Sequence, residues 1–385
     1  MRSIATRLER RRLVFRRPLR TARGEFHARE IALLEVRDAD GLRGLGEASP
    51  WPGFGDDTLD AIEGALRAAL TRIELVGATT EPERLLDAVA ASLEGHPVAR
   101  AAVEGAVCDL AARRAGVTLA SWLARRVVPR PRQAESQSRR IAPPAAQAPS
   151  LTRPTTARVA CSALLLAHAP DALREEAART RAAGYAAAKL KLGGVPHDVD
   201  VARVRAARAG LGPGVRLRGD ANGAWTRTEA AAALEALAAF DLEYVEQPVV
   251  AEDLDGLAGL RGLTPVRIAA DEAVAGEHGL RAVIESRAAD VVVLKPALLG
   301  GPLRALALAA EARAAKLDVV FTHALDGAVG AWHAVHCAAA WADAAAVHGL
   351  HTAELFTADV GPPVEADAGF VTLPAGPGLG FESWV

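Results

Sequence analysis

The sequence predicts an α/β chain: a parallel βα barrel behind a smaller N-terminal α+β domain. Three observations carry that prediction. Lys191, Asp220, Glu246, Asp271 and Lys295 recur at intervals of 29, 26, 25 and 24 residues, about the length of one strand, one helix and two loops. Each stands at the polar end of a short apolar run: AAAKLKL, VRLRGDAN, EYVEQP, RIAADEA and DVVVLKP. Successive parallel strands that aim side chains at one mouth give this arrangement. Finally, residues 1–125 read as several strands followed by several helices, the order of an α+β unit.

Taken in order, IALLEVRD alternates with charge and DADG turns it into LRGLGEAS. From Thr58 the period becomes helical, in TLDAIEGALRAAL, PERLLDAVAASL and VARAAVEGAVCDLAARRAG. Residues 126–158 are rich in Pro, Arg, Ser, Gln and Ala without apolar period, which reads as a linker or surface insertion. It contains no aromatic residue, so a solvated loop is preferred to a nucleic-acid patch. The barrel is expected over 159–350. VACSALLL is its first strand, and DVARVRAARAG is a helix stopping at Gly210. VRLRGDA is followed by a helix capped by Thr226 or Thr228. With LEYVEQP, VRIAADEA, DVVVLKP and LDVVFTHA this makes seven βα steps. GLHTAELF would close the barrel poorly as a regular strand, and residues 351–385 are expected to return to the first domain.

Bulk properties narrow the function. The 385 residues are half hydrophobic and carry a net charge of −2, which leaves no electrostatic footprint for nucleic acid or an anionic membrane. Cys108, Cys161 and Cys337 are odd in number and lack C-x-x-C spacing, so buried reduced thiols are expected. MRSIATRLERRRLVF is basic without an apolar h-region, and no run of 18 uncharged apolar residues occurs. A cytoplasmic enzyme with a small-molecule substrate is the expectation. A homo-oligomer stays open.

Three carboxylates from neighbouring strand ends, Asp220, Glu246 and Asp271, suit Mg²⁺, which takes hard oxygen ligands. The competing explanation, a buried ion network with lysines, accounts less well for three evenly spaced acids. Strand alternation would send Glu272 away from Asp271. Asn222 is either a partner behind the acids or a turn residue. Lys189 and Lys191, two apart, both point into the barrel. Each would lower the other's pKa, leaving one basic near neutrality. Lys295 reaches the opposite face of a bound substrate. A metal and such a lysine together remove a proton beside a carboxylate and hold the resulting enediolate.

These motifs (KLK, GDAN, EQP, ADEA and LKP) resemble those of the enolase superfamily, in its muconate-lactonizing-enzyme-like subgroup, across the whole barrel. The resemblance implies an α+β capping domain on a modified TIM barrel, (β/α)7β. It also implies Mg²⁺, with Mn²⁺ as a substitute, on Asp220, Glu246 and Asp271. PLRTARGEFHARE, ALLEVRDADGLRGLGEASPWPGFG, LRGDANGAW and VVVLKPALLGG are similar to o-succinylbenzoate synthases of menaquinone biosynthesis. This implies syn dehydration of 2-succinyl-6-hydroxy-2,4-cyclohexadiene-1-carboxylate by Lys191, tuned by Lys189, with Lys295 stabilising the enolate. Substrate contacts would come from Arg218, Asn222, Gly300, Gly301, His323 and Asp326. His323 departs from the pattern, which favours a small hydroxyl residue there; it is either a satisfied polar residue at the pocket edge or a substrate contact. A His323–Asp326 dyad is discounted because Lys295 already serves the second face. Dipeptide epimerase, N-acylamino-acid racemase and muconate-type cycloisomerase use the same machinery. The first usually needs paired aspartates where HTAELF offers only Glu354. A non-catalytic, decayed barrel would have lost one of the five charges, and none is missing. The loops around 18–30, 48–56 and 321–330 are left to decide between elimination and racemisation.

Overall fold

The N-terminal strands form an antiparallel sheet in the order β1-β2-β3: β1 (Ala5–Thr21), β2 (Gly24–Arg37) and β3 (Arg43–Ala48). The computed structural model describes residues 4–21, 24–52, 54–55, 57–77, 81–126, 156–351 and 356–385. Most of the 126–158 insertion, and Glu354, lie outside them. Asp38 makes the β2–β3 turn, its carboxylate accepting from the amides of Asp40 and Leu42. Four helices follow: α1 (Leu59–Val76), α2 (Pro82–Val89), α3 (Pro97–Arg114) and α4 (Leu119–Ala124). Thr58 caps α1, its hydroxyl 3.2 Å from the Ala61 amide. The apolar run of β2 is buried on both faces. Ala32, Leu34 and Val36 pack with Ile62, Leu66 and Val103, while Ile31 and Leu33 join the core of the barrel.

The second part repeats strand and helix seven times. It runs through β5 (Ala163–Leu165), α5 (Pro170–Ala182), β6 (Ala187–Lys191), α6 (His197–Leu211), β7 (Arg216–Asp220), α7 (Arg227–Leu237) and β8 (Leu242–Glu246). It continues with α8 (Leu254–Leu260), β9 (Arg267–Ala270), α9 (Gly276–Glu285), β10 (Val291–Leu294), α10 (Pro302–Ala314), β11 (Asp318–Phe321) and α11 (Ala328–Trp341). The seven strands form one parallel sheet in chain order. Closure is irregular, as GLHTAELF suggested. His348 bridges to Cys161 and Gly349 to Thr322, one bridge on each side. The curled sheet with its β-rich cap is the predicted (β/α)7β architecture. The three cysteines are buried and free. Among the described residues no helix is long and apolar enough to cross a membrane.

Three local expectations change. VACSALLL is two short strands in two sheets: β4 (Arg158–Ala160) pairs antiparallel with β12 (Phe370–Thr372), and only β5 joins the barrel. The α6 helix does not stop at Gly210. A Cβ there would lie 2.3 Å from the Arg174 carbonyl oxygen of α5, so Gly210 permits close helix packing, and Gly212 at φ 68° supplies the cap. Of the two candidate caps for α7, Thr226 is used, in a reciprocal capping box with Glu229. The chain end runs back along the cap, where the Leu379 amide donates to Asp109 Oδ1 at 2.7 Å.

Candidate active site

Strand alternation decides what reaches the barrel mouth. Residues 189 and 191, 218 and 220, and 244 and 246 share inward parity on β6, β7 and β8. The register pairs Lys191 with Asp220 and Asp220 with Glu246. Deeper inward positions are mostly apolar: Tyr244, Ala269, Val291, Val293 and Val320 form one cluster. Asp271 and Lys295 each follow the last residue of their strand, β9 and β10.

Lys189 Nζ stands between two acids, 2.6 Å from Asp220 Oδ2 and 2.7 Å from Glu246 Oε1. Lys191 Nζ donates to the same Asp220 oxygen at 2.7 Å and to Asn222 Oδ1 at 2.6 Å. Lys295 is gripped by both oxygens of Asp271, and its ammonium lies 4.2 Å from the Phe54 ring centroid. Gln247 bonds the acids' backbones together. Its Oε1 accepts from the amides of Asp271 at 3.0 Å and Ala273 at 3.2 Å.

The electrostatics follow from burial and these partners. Burial opposes the charge on Asp220, but the ammonium groups of Lys189 and Lys191 hold its pKa well below the usual carboxylate range. Glu246 is pushed up to about 7, by burial first and then by the Asp220 charge. Asp271 is also raised by burial. At Lys189 two effects oppose each other. Burial would lower it, but Asp220 and Glu246 outweigh burial and raise it well above the ordinary lysine value.

Among the described residues no three His, Cys, Asp or Glu side chains close around a common point that could hold a metal. The ammonium groups stand between the carboxylates instead. By donor chemistry the acids still fit a hard divalent cation. They are buried oxygens from adjacent strands, with no thiolate or imidazole among them.

A cavity opens above the row. Lys189, Lys191, Asp220, Asn222, Asp271, Glu272, Lys295 and His323 line it, and Leu19, Trp51 and Phe54 of the cap roof it. Glu272 thus does not point away. The chain leaves extended geometry at Asp271, with φ −120° and ψ −78°, so the alternation rule ends there and the Glu272 side chain returns to the mouth. Asn222 Nδ2 donates to its Oε1 at 3.1 Å. His323 lies in the wall with its pKa lowered to about 3, chiefly by burial.

Four proposed contacts lie outside the lining. Arg218 sits deeper on the inward row, bonded to Glu243 Oε2 at 2.5 Å and the Val347 carbonyl at 2.8 Å. Gly300 and Gly301 lie outside the lining, and the Gly301 amide already donates to the Pro296 carbonyl at 3.0 Å. A Cβ on Gly301 would lie 2.5 Å from Glu104 Oε1, and that carboxylate already accepts from the amides of Leu303 at 2.8 Å and Arg304 at 3.2 Å. Asp326 faces the seam between cap and barrel, near Arg29 and Glu47. Sequence reasoning assigned no role to Gln247, although EQP contains it, nor to Thr322 and His351 of the wall. The roof residues had no signal beyond lying near or within the loops 18–30 and 48–56.

Residues 3–123 match the mandelate racemase / muconate lactonizing enzyme N-terminal domain, and residues 172–383 match the enolase C-terminal domain-like family. The chain belongs to the enolase superfamily. Curated relatives of this enolase-superfamily enzyme divide in function. It is 43% identical over 189 residues to an o-succinylbenzoate synthase of Thermobifida fusca, a match spanning 48% of this chain and 58% of that protein. It is 30% identical over 371 residues to muconate cycloisomerase 1-2 of Acinetobacter lwoffii, spanning 95% of this chain and 89% of that one. The solved dipeptide epimerase of Enterococcus faecalis, complexed with Mg and the dipeptide L-Leu-L-Tyr, has the same fold, with TM-score 0.81 at 23% identity over 99% of both chains. Membership of the superfamily indicates a divalent metal.

Proposed function

We propose that this enzyme is an o-succinylbenzoate synthase of menaquinone biosynthesis, acting in the cytoplasm, where its three free thiols would stay reduced. Asp220, Glu246 and Asp271 would hold Mg²⁺, which when bound supplies positive charge to the substrate carboxylate as charge develops there. Lys191 takes the proton from the carbon bearing that carboxylate. The electron pair of that C–H bond moves into the carboxylate. The same lysine then gives its proton to the departing hydroxyl; the C–O bond breaks, water leaves and the ring becomes aromatic. Asn222 and Asp220 aim Lys191 through their bonds to Nζ.

The observation that carries this reading is the inequality of the two lysines that flank the acids. The Lys191 side chain is 38% exposed, in the cavity wall. Lys295 is 12% exposed and covered by the Phe54 ring. A one-base syn elimination needs only the first; a racemase needs both to move protons. The roof of Leu19, Trp51 and Phe54 also offers apolar faces on which a carbocyclic ring can pack. Incubation with the cyclohexadiene carboxylate should produce the aromatic product's absorbance, and Lys191→Ala should not. Turnover of a dipeptide or an N-acylamino acid, but not of this substrate, would overturn the reading.

A further inference from the structure

The cavity has two walls from different parts of the chain, and one buried guanidinium joins them. Arg29 of β2 is 3% exposed. Its Nη1 donates to the carbonyls of Ala324 and Leu325, the latter at 3.1 Å. Its Nη2 donates to the Pro50 carbonyl at 2.9 Å, and its Cζ stacks 4.7 Å from the Trp51 ring centroid. Trp51, Ala324 and Leu325 all line the cavity. Leu325 is held at φ 58°, a left-handed conformation a leucine keeps only where its surroundings enforce it. The loop's other side is held by the cap as well: Glu47 accepts from the amides of Gly327 at 2.6 Å and Gly330 at 2.9 Å. Asp326 and Glu47 supply the charge that opposes Arg29's desolvation.

We propose that Arg29 is a positioning residue that sets the spacing between the aromatic roof and the 323–325 wall, and so the size of the ring or acyl portion that fits beside the substrate carboxylate. The planar fork is what suits it: one group reaches carbonyls on both loops, which a lysine ammonium cannot do with the same geometry. The substrate class rests on the function proposed above; the clamp itself does not.

The test uses the full chain carrying Arg29→Lys, which keeps the charge, and Arg29→Met, which removes it. By hydrogen exchange, Arg29→Lys is expected to speed exchange of the amides of Ser49, Trp51 and residues 323–327 about tenfold, leaving the β6–β10 amides unchanged. With the cyclohexadiene carboxylate, KM should rise roughly tenfold while kcat stays within about threefold. Arg29→Met should exceed both changes. Unchanged exchange in either loop, equal loosening across the barrel strands, or an unchanged KM in an active variant each overturns the proposal. A wild-type chain that dehydrates nothing, with the two-loop loosening present, sinks the synthase reading and supports the clamp.

Discussion

Two sets of buried carboxylates in this protein both contain members with a raised pKa and differ in what they face. At the barrel mouth, Glu246 is pushed up to about 7 and faces Lys189 and neighbouring acids. At the seam between cap and barrel, Glu47 and Glu104 are also pushed up to about 7, first by burial. These two face backbone amides: Glu104 the first turn of α10, Glu47 that of α11. A carboxylate on a helix N-terminus satisfies donors that the helix cannot. We propose the first set as a reactive row; the second is a pair of staples. A shifted pKa alone does not distinguish them; the partner type does.

The largest effect that would sharpen this contrast is at the mouth. Lys191→Ala should lower kcat by roughly 10³-fold or more while thermal stability is retained; a loss under tenfold would remove Lys191 from the base role. Asp271→Ala should abolish both turnover and the Mg²⁺-dependent rise in melting temperature expected of wild type. That rise corresponds to about 2.7 kcal/mol at a hundredfold excess over Kd. Persistence of the Mg²⁺ shift would break the assignment of Asp271 as a ligand.

The seam should answer in stability rather than chemistry. Glu104→Ala leaves buried amides at the start of α10 without their acceptor and should cost about 2–3 kcal/mol in denaturant unfolding, with kcat/KM of the folded enzyme unchanged. A comparable loss of kcat/KM would erase the distinction between the two sets. A further effect at the seam is in pH. Glu104 goes from 4.5 to about 7 on folding, so the folded state holds a proton that the unfolded state has lost between those values. Its contribution is present below pH 4.5 and is lost as pH rises through 7. Glu104→Gln should therefore gain on wild type as pH climbs through that window, by at most on the order of 3 kcal/mol. A difference in stability that is flat with pH would contradict the buried, raised carboxyl.

Legibility followed periodicity. The mouth set is readable because strand period and strand-to-helix spacing are both linear in the chain, so Lys189, Lys191, Asp220, Glu246, Asp271 and Lys295 fall on one rim from the sequence alone. Glu272 was misplaced because the rule that placed Asp271 ends with the strand. Arg218 had the right parity and the wrong depth, since alternation says which side a residue faces but not how far along the barrel axis it lies. Gly300 and Gly301 read as an approach for a ligand carboxylate, whereas at Gly301 it is the chain's own Glu104 of α3 that packs there.

The sequence by itself determined the seven βα repeats, the acid row, its lysines and thereby the class of chemistry, because each depends on short-range spacing. The tertiary structure alone decided that Lys295 is clamped under Phe54, that Arg29 joins Pro50 to Ala324 and Leu325, and that Glu47 and Glu104 seat the cap on α11 and α10. Those contacts join residues some 200 to 300 positions apart. Docking of one folded unit on another creates them, and no local pattern encodes it.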